Sequence, residues 1–352
     1  MSVATIHERF VASGARIGTY RGGETPVSFG DTAAEFRVLL ESCGVVDMSW
    51  QARLVLTGED RVRWLNGMVT NNIRDLAVGR GVYSFLLNAQ GRILGDLVGY
   101  NRGDHLLVIT DREQAPAIAA IFDRYIIMDD VEVADISDKL ATVGVTGPRA
   151  REVLATAGIE VTLGPGQVID TVWREIGISV ARSAQPAMDG YEIWLSRENV
   201  DKVWDALPAA GVKPAGSDAL ELYRMVRGVP RYGVDLRDRD LPQETGQHYA
   251  LHFAKGCYIG QEIVERIHSR AILHRTFVGF EVEGEPPQPG TKVQVNGKNA
   301  GEMTSAARMP FPSGERTLAL GYAHKEIAVP GTIVQIGSQT ATVQTLPFPS
   351  ER

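Results

Sequence analysis

A four-residue connection between two apolar segments constrains the fold of this chain most strongly. Residues 83–87 read Tyr-Ser-Phe-Leu-Leu, residues 92–100 form a second apolar segment, and Asn-Ala-Gln-Gly separates them at 88–91. A short connection that ends in glycine is typical of a hairpin, whose strands run antiparallel. A further turn at 102–104 leads into a third apolar segment at 105–110. The pattern predicts an antiparallel meander in the first half of the chain.

Helical and extended patterns alternate through the rest of the first 270 residues. After an irregular lead-in at 1–30, apolar periodicity predicts helices at 113–128 and 217–227, and strands at 141–145 and 190–195. Because helices and strands interleave while neighbouring strands form hairpins, the predicted class is α+β with antiparallel sheets.

Helical periodicity ends near residue 275. Short apolar segments then recur between turns, and an Asn-Gly pair at 296–297 is a strong hairpin signal. This part predicts a small all-β barrel. We expect a first α+β domain at 1–130, a second at 131–270 that ends in a cysteine motif, and the C-terminal β-barrel at 271–352.

Composition excludes several classes of function. The 352 residues are 44% hydrophobic and 22% charged, with a net charge of −7, so the chain lacks the basic surface expected for nucleic acids or an anionic membrane. It has no apolar segment long enough to span a bilayer. Cys43 and Cys257 are too few for a disulfide framework and lack zinc-site spacing. We expect a reduced, cytoplasmic protein without a metal site, which cannot hold an iron–sulfur cluster by itself.

Two other polar clusters have simple interpretations. His248 and His252 would share one face of a helix, but they lack a third ligand and a Glu-x-x-His frame for a metal. An alternative is that His252 lies near Cys257. The sequence Asp-Leu-Arg-Asp-Arg-Asp at 235–240 predicts a solvated loop whose charges pair with one another.

The second cysteine lies in a distinctive motif at 255–262. Glycines at 256 and 260 bracket Cys257, which suits a tight turn, and a predicted helix begins at Gln261. A helix N-terminus and the nearby Lys255 would both favour the thiolate. The alternative is a small buried thiol in a loop. The motif residues are Lys255, Gly256, Cys257, Tyr258, Gly260, Gln261 and Glu262.

This motif, Lys-Gly-Cys-Tyr-x-Gly-Gln-Glu, resembles the signature of the YgfZ proteins. That resemblance extends upstream through Leu-Pro-Gln-Glu at 241–244. YgfZ proteins are folate-binding relatives of the glycine-cleavage T-protein (aminomethyltransferase), and they act in iron–sulfur cluster assembly or repair. The resemblance implies tetrahydrofolate or a one-carbon derivative as cofactor, and iron–sulfur proteins or assembly factors as partners. The T-protein itself lacks the cysteine.

The T-protein resemblance also implies a folate site around the first hairpin. In that family a strand tyrosine, an Asn-x-x-Gly turn and an aspartate on the return strand recur at fixed spacing. They match Tyr83, the turn at 88–91 and Asp96, with Tyr100 four residues further on. Asp96 matches the catalytic aspartate, which can orient a bound amine or exchange a proton with it. The family usually has an acidic pair here, whereas this chain has Gly95 and Asp96. The plain alternative is a solvated hairpin aspartate.

Two more residues match positions around the pterin. Glu192 matches the glutamate that accepts two parallel hydrogen bonds from the pterin edge, and Arg224 matches an arginine that could meet the anionic tail of folate or pair with Glu192. Where the T-protein has glutamate, this chain has Val226, and Arg227 and Arg231 are alternatives to Arg224. Without the resemblance, Glu192 would be an exposed strand acid and Arg224 a helix-surface arginine.

Together these matches predict a tetrahydrofolate-binding protein that supports iron–sulfur enzymes. We expect the pterin in a cleft shared by the first two domains, with Glu192 reading it and Asp96 beneath. Cys257 should face the same cleft as a redox-active or transfer thiol. The alternative is an aminomethyltransferase that moves a one-carbon unit from a lipoyl-bound intermediate to tetrahydrofolate. A sarcosine or dimethylglycine oxidase is disfavoured, because no flavin fingerprint is present.

Overall fold

Short helices alternate with antiparallel strands in the computed structural model, which describes residues 6–270 and 273–349. The α-helices are α1 (Ile6–Ala12), α2 (Thr32–Glu41), α3 (Arg61–Met68), α4 (Ala115–Tyr125), α5 (Ala150–Thr156), α6 (Val200–Ala209), α7 (Ser217–Val226) and α8 (Gln261–Arg270). Short 3-10 helices occupy Arg197–Asn199, Pro242–Thr245 and His248–Ala250.

The strands before the C-terminal region are β1 (Arg16–Tyr20), β2 (Gly23–Ser28), β3 (Gly44–Asp47), β4 (Gln51–Thr57), β5 (Arg80–Leu87), β6 (Ile93–Asn101), β7 (Leu106–Asp111), β8 (Glu132–Asp135), β9 (Leu140–Thr146), β10 (Val168–Trp173), β11 (Ile176–Arg182), β12 (Gly190–Ser196) and β13 (Lys213–Pro214). Those of the C-terminal region are β14 (Arg275–Val282), β15 (Lys292–Val295), β16 (Lys298–Phe311), β17 (Gly314–His324), β18 (Ile333–Ile336) and β19 (Gln339–Gln344).

The chain divides into two compact units, neither of which is contiguous in sequence. The first unit contains Met1–Gly67, Asn71–Ser84 and Leu97–Leu220, and the second contains Met68–Thr70, Phe85–Asp96 and Glu221–Arg352. Both predicted domain boundaries, after residues 130 and 270, fall inside these units. The hairpin tip at 85–96 belongs to the second unit, because its contacts are with residues of that unit.

A six-stranded sheet in the first unit has the order β10-β11-β12-β9-β3-β13. The strands β10, β11, β12, β9 and β3 pair antiparallel, and the two-residue β13 lies parallel to β3. Side chains alternate across each strand. On β12, Tyr191, Ile193 and Leu195 therefore enter an apolar core against α5 and α6, while Glu192 and Trp194 project from the opposite face.

The meander forms a five-stranded sheet of order β5-β6-β7-β4-β8. Its hairpins confirm the antiparallel class predicted from the four-residue turn. In the second unit the strands close into the barrel β14-β17-β16-β15-β18-β19, which confirms the predicted C-terminal barrel. No helix in the described part of the chain is long and apolar enough to cross a membrane.

The lead-in prediction was wrong for the residues that the structure describes. Helix α1 and the hairpin β1–β2 occupy much of 6–30, and residues 1–5 lie outside the described range. Phe10 packs edge-on against Trp204 at 4.7 Å between ring centroids. Burial of scattered side chains such as Phe10, Tyr20 and Val27, together with the pairing of β1 and β2, stabilises this segment, so its sequence shows little periodic signal.

Candidate functional site

A partly exposed carboxylate on β12 is held in a fixed orientation. Gln51 Nε2 donates to Glu192 Oε1 at 2.9 Å, and Trp194 Nε1 donates to Glu192 Oε2 at 2.9 Å. Each carboxylate oxygen can accept more than one hydrogen bond. Glu192 is therefore oriented by the protein and still able to receive the parallel donors of an amidine-like edge.

The orientation of Gln51 is itself set by a buried arginine. Arg53 is 1% exposed, and its Nη2 donates to Gln51 Oε1 at 3.4 Å and to the Thr142 hydroxyl. This contact assigns the amide oxygen of Gln51 to Arg53, which leaves the amide nitrogen for Glu192. Burial lowers the pKa of Arg53 to about 10, and the charge of Glu192 opposes that shift. Arg53 remains cationic at neutral pH.

Aromatic rings pack around the hydrogen-bond network of Glu192, Gln51 and Arg53 in the first unit. Tyr100 packs edge-on against Trp194 with ring centroids 5.2 Å apart, and the Arg53 guanidinium lies 5.6 Å from the Trp194 ring. Burial and then the charge of Glu192 raise the pKa of Tyr100, so its phenol stays protonated. Tyr83 is also buried, and its carbonyl accepts a hydrogen bond from Asn71 Nδ2 at 3.0 Å. The structure thus groups Tyr100 with Glu192.

In the second unit, two tyrosines lie within electrostatic range of Asp96. Burial raises the pKa of Tyr249, and the charge of Asp96 contributes to that rise. Burial, Asp238 and Asp96 likewise raise the pKa of Tyr232. Gln247 Nε2 donates to the Tyr249 hydroxyl at 2.9 Å. Asp96 is half-buried among protonated phenols, not a fully solvated hairpin acid.

The motif thiol is exposed. Cys257 lies on the surface of the second unit, whereas Cys43 is buried and burial raises the pKa of its thiol to about 12. Lys255 is 1% exposed, donates to the Val69 carbonyl at 2.7 Å and lies 4.6 Å from the centroid of the Tyr258 ring. These contacts give Lys255 a structural role in holding the motif, and its predicted effect on Cys257 stays a prediction.

The rest of the motif forms the start of α8. The Tyr258 backbone N–H donates to Gln261 Oε1 at 3.3 Å, and Glu262 is exposed in the first turn of the helix. Gly256 and Gly260 both adopt positive φ, at 94° and 83°, as the tight-turn prediction requires. Cys257 therefore precedes a helix N-terminus, which confirms the predicted local structure.

Gly260 brings the motif against the hairpin turn that precedes Asp96. A Cβ added at Gly260 would lie 2.5 Å from the Asn88 carbonyl oxygen and 3.2 Å from the Gly91 Cα. On the other side, a Cβ added at Gly91 would lie 2.8 Å from the Ile263 Cβ. Backbone approaches this close require glycine. The cysteine motif and the 88–91 turn are therefore packed together as one structural element.

Replacing Gly260 with alanine is expected to lower the free energy of unfolding by about 2–3 kcal/mol, because steric overlap with Asn88 adds to the cost of a positive φ. Chemical denaturation measures the change. Gly256→Ala is the matched control, since it has a similar φ but no atom within 4 Å of the added Cβ. We expect about 1 kcal/mol there. Equal losses in the two variants would contradict the close-packing argument.

Arg224 is not a helix-surface residue. It is 2% exposed, and its Nη1 lies 2.8 Å from Asp235 Oδ2 while Nη2 lies 2.5 Å from Glu221 Oε1. Asp235 also accepts hydrogen bonds from the hydroxyls of Thr304 and Ser305 on β16. These contacts assign Arg224 to the interior of the second unit, and the predicted contact with a folate tail stays a prediction.

The prediction of a solvated loop at 235–240 was wrong. Asp235 and Asp240 are both fully buried. Arg237 does pair with Asp240 at 3.3 Å, but it also pairs with Glu302 at 2.7 Å. The acids are buried because guanidinium and hydroxyl donors from distant segments compensate them, a pairing that a sequence does not reveal.

The two histidines do not share a helical face. His248 belongs to a 3-10 helix that ends at Ala250, and His252 lies beyond it with its Nδ1 accepting from the Ala254 N–H at 3.2 Å. Among the described residues, no group of three or more His, Cys, Asp or Glu side chains is arranged to hold a metal ion. The 3-10 helix is only three residues long and Leu251 is extended, so the two histidines do not lie on one continuous helix.

Sequence reasoning missed Gln51, Arg53 and Tyr249. A signal existed for the first two, because Gln and Arg alternate with apolar residues on β4 where a buried strand normally has none. For Tyr249 no local signal distinguished it from other loop aromatics, since its relation to Asp96 arises from residues 153 positions apart.

Comparisons with known proteins agree over nearly the whole chain. The GCVT N-terminal domain family matches residues 6–255, and the glycine cleavage T-protein C-terminal barrel domain family matches residues 275–348. A protein named aminomethyltransferase from Rubrobacter xylanophilus is 29% identical over 99% of this chain and 93% of its own length. One of the same name from Picosynechococcus is 26% identical over 94% and 92%.

A solved structure has the same fold. The glycine cleavage system aminomethyltransferase T from Bartonella henselae superposes with a TM-score of 0.86 and covers 100% of this chain and 99% of its own. The sequences are 23% identical, so this similarity describes the fold.

Proposed function

Because this chain belongs to the glycine-cleavage T-protein family, we propose that it binds tetrahydrofolate and handles the one-carbon unit carried by that molecule. The observation that carries this proposal is the oriented carboxylate of Glu192. Both of its oxygens are fixed by donors from the protein, while the side chain stays partly exposed. A carboxylate with this geometry fits the two parallel N–H donors at the edge of a pterin.

Asp96 fits the second role. Tetrahydrofolate supplies an amine nitrogen that accepts the one-carbon unit. A half-buried carboxylate can orient such an amine by accepting its hydrogen, or hold the proton that it loses. Tyr232 and Tyr249 lie within electrostatic range of Asp96, and burial together with the charge of Asp96 raises the pKa of both phenols.

The first candidate activity is aminomethyl transfer to tetrahydrofolate. It is supported by the relatives named aminomethyltransferase, which match this chain over more than nine-tenths of its length. Under this proposal the one-carbon donor is a lipoyl-bound aminomethyl group, and Asp96 is the catalytic carboxylate.

The second candidate is a YgfZ-type role in support of iron–sulfur enzymes. It is favoured by one observation, the exposed Cys257 in a motif packed on the turn that leads to Asp96. An exposed thiol is available for redox or transfer chemistry, whereas the buried Cys43 is not. In this role Cys257 would carry out the redox or transfer chemistry, and folate would serve as a ligand or as the acceptor of a one-carbon unit.

Calorimetric titration of the whole chain with tetrahydrofolate tests the folate proposal itself. A saturable heat is expected. No heat at protein concentrations well above the expected micromolar dissociation constant would refute both candidates.

Two substitutions then separate the candidate activities. If the protein is an aminomethyltransferase, Asp96→Asn should lower kcat with an aminomethyl-lipoyl carrier protein by about 100-fold or more, while Cys257→Ser retains activity. If it supports iron–sulfur enzymes, Cys257→Ser should lose rescue in a cluster-dependent growth assay. Cys43→Ala is the control thiol and should behave as wild type. Full activity of Cys257→Ser in the growth assay would reject the second candidate.

A further inference from the structure

Arg53 is a buried cation without an ion pair. It lies on β4 of the first unit with 1% of its surface exposed, and it pairs with no carboxylate among the residues that the structure describes. Its Nε is buried and has no hydrogen-bond acceptor in that part of the chain. A buried charge that is incompletely paired lowers stability. Stabilisation of the fold is therefore a poor explanation for an arginine at this position.

The hydrogen bonds that Arg53 does make lead toward Glu192. Its Nη2 donates to Gln51 Oε1 at 3.4 Å and to the Thr142 hydroxyl. At the other end of the same amide, Gln51 Nε2 donates to Glu192 Oε1 at 2.9 Å. Gln51 therefore lies between the buried cation and the carboxylate, and its amide contacts both of them.

The chemistry of these three groups permits only one orientation of the amide. A guanidinium has donors only, so the amide atom that faces Arg53 must be the oxygen, and a carboxylate accepts only, so the atom that faces Glu192 must be the nitrogen. The two ends of an amide have nearly the same shape. Removing Arg53 removes the donor that fixes the oxygen end, and a rotation of 180° would then place that oxygen against the carboxylate. Glu192 would lose a donor and, with it, its fixed orientation.

Arg53 is itself held at both ends. Its backbone N–H donates to the Ser137 hydroxyl at 2.9 Å, and its carbonyl accepts from the Ile136 N–H at 2.9 Å. The guanidinium is bonded to Thr142, which is 1% exposed on β9. An immobilised donor keeps the Gln51 amide in one orientation before a ligand arrives, which reduces the entropy lost on binding.

We propose that Arg53 is a positioning residue for tetrahydrofolate binding and that it acts through Gln51. This inference rests on the proposed function, in which Glu192 is the acceptor for the pterin edge. Because Arg53 is almost fully buried, it acts without contacting the ligand. It fixes the Gln51 amide, and the amide in turn fixes the Glu192 carboxylate.

A double-mutant cycle tests the proposal, with tetrahydrofolate affinity measured by calorimetry on the full chain. Arg53→Met should weaken binding by about tenfold, the equivalent of one hydrogen bond. Its melting temperature should stay within about 3 °C of wild type, because replacing a buried charge by an apolar side chain is often neutral. Gln51→Met should also weaken binding by about tenfold. In that variant, Arg53→Met should weaken binding by no more than about twofold more, because the amide through which it acts is absent.

The outcomes separate this inference from the proposed function. Equal weakening by Arg53→Met with and without Gln51 would mean that Arg53 acts through its charge or through the fold, and it would overturn the inference. Wild-type affinity in Arg53→Met would overturn it as well. If wild type itself bound no tetrahydrofolate, the proposed function would be refuted, and this inference with it.

Two more variants complete the experiment. Thr142→Val keeps the charge of Arg53 but removes the hydroxyl that holds its guanidinium, so it should weaken binding by about threefold and have no effect when combined with Gln51→Met. If Arg53→Met does not fold, unchanged affinity in Thr142→Val would overturn the inference. Arg112→Met is the control for charge: Arg112 acts on Arg53 electrostatically but donates to the Ser49 carbonyl and to Asp138. It should bind tetrahydrofolate as wild type does, and a tenfold loss there would also overturn the inference.

Discussion

Replacing Glu192 with alanine is expected to lower the affinity for tetrahydrofolate by about 100-fold. The substitution removes two charge-assisted hydrogen bonds, which together contribute about 3 kcal/mol, and 1.4 kcal/mol corresponds to a factor of ten. The loss also leaves Gln51 and Trp194 without their shared acceptor. Calorimetric titration of wild type and variant measures the change.

Two further variants separate recognition from structural support. Glu192→Gln keeps the shape of the side chain but replaces one acceptor oxygen with a donor, so it should bind nearly as poorly as the alanine variant. Glu152→Ala removes an exposed carboxylate on α5 and should leave affinity unchanged. If Glu192→Gln bound tetrahydrofolate as wild type does, Glu192 would not read the pterin edge.

Replacing Asp235 with alanine should produce the largest loss of stability, about 3–5 kcal/mol. Asp235 is fully buried and pairs with Arg224, so its removal leaves the buried guanidinium paired with Glu221 but without its fully buried carboxylate partner. The hydroxyls of Thr304 and Ser305 lose the same acceptor. Thermal unfolding should show a midpoint roughly 10 °C lower.

Asp238→Ala is the control for this prediction. Asp238 is three residues away in the same acidic segment but is exposed, so its removal should change stability by less than about 0.5 kcal/mol. Arg224→Met tests the other partner. A loss of stability in Arg224→Met that matches Asp235→Ala supports a structural ion pair. A stable variant with weakened folate binding would restore the role in folate binding that the sequence predicted.

The fold class, and the order in which an α+β part precedes a β-barrel, could be predicted from local sequence patterns. The Asn-Ala-Gln-Gly turn implied antiparallel strands, and the loss of helical periodicity near residue 275 marked the barrel. Turns and periodicity depend on residues close together in the chain, which is why they can be recognised there. The strand β3 was missed, because its four residues are buried on both faces and show no alternation.

In the candidate site, too, the features that depend on neighbouring residues could be predicted, and those that depend on distant residues could not. The tight turn of the motif at 255–262 could be predicted from its two glycines, because the backbone geometry of a turn depends on residues that are close in sequence. The support of Glu192 by Gln51 was not, since those residues are 141 positions apart. The docking of Gly260 on the Asn88 carbonyl was likewise hidden.

Local sequence patterns specify the alternation of strands and helices, the tight turns and the position of the thiol motif before a helix, whereas the structure shows that Cys257 is exposed. Tertiary structure alone decided which charges are buried, which carboxylate is oriented and which acids of 235–240 lie inside the second unit. The physical reason is that burial and pairing of a charged group depend on donors supplied from remote segments, and their free energy is set by three-dimensional proximity rather than by neighbours in the chain.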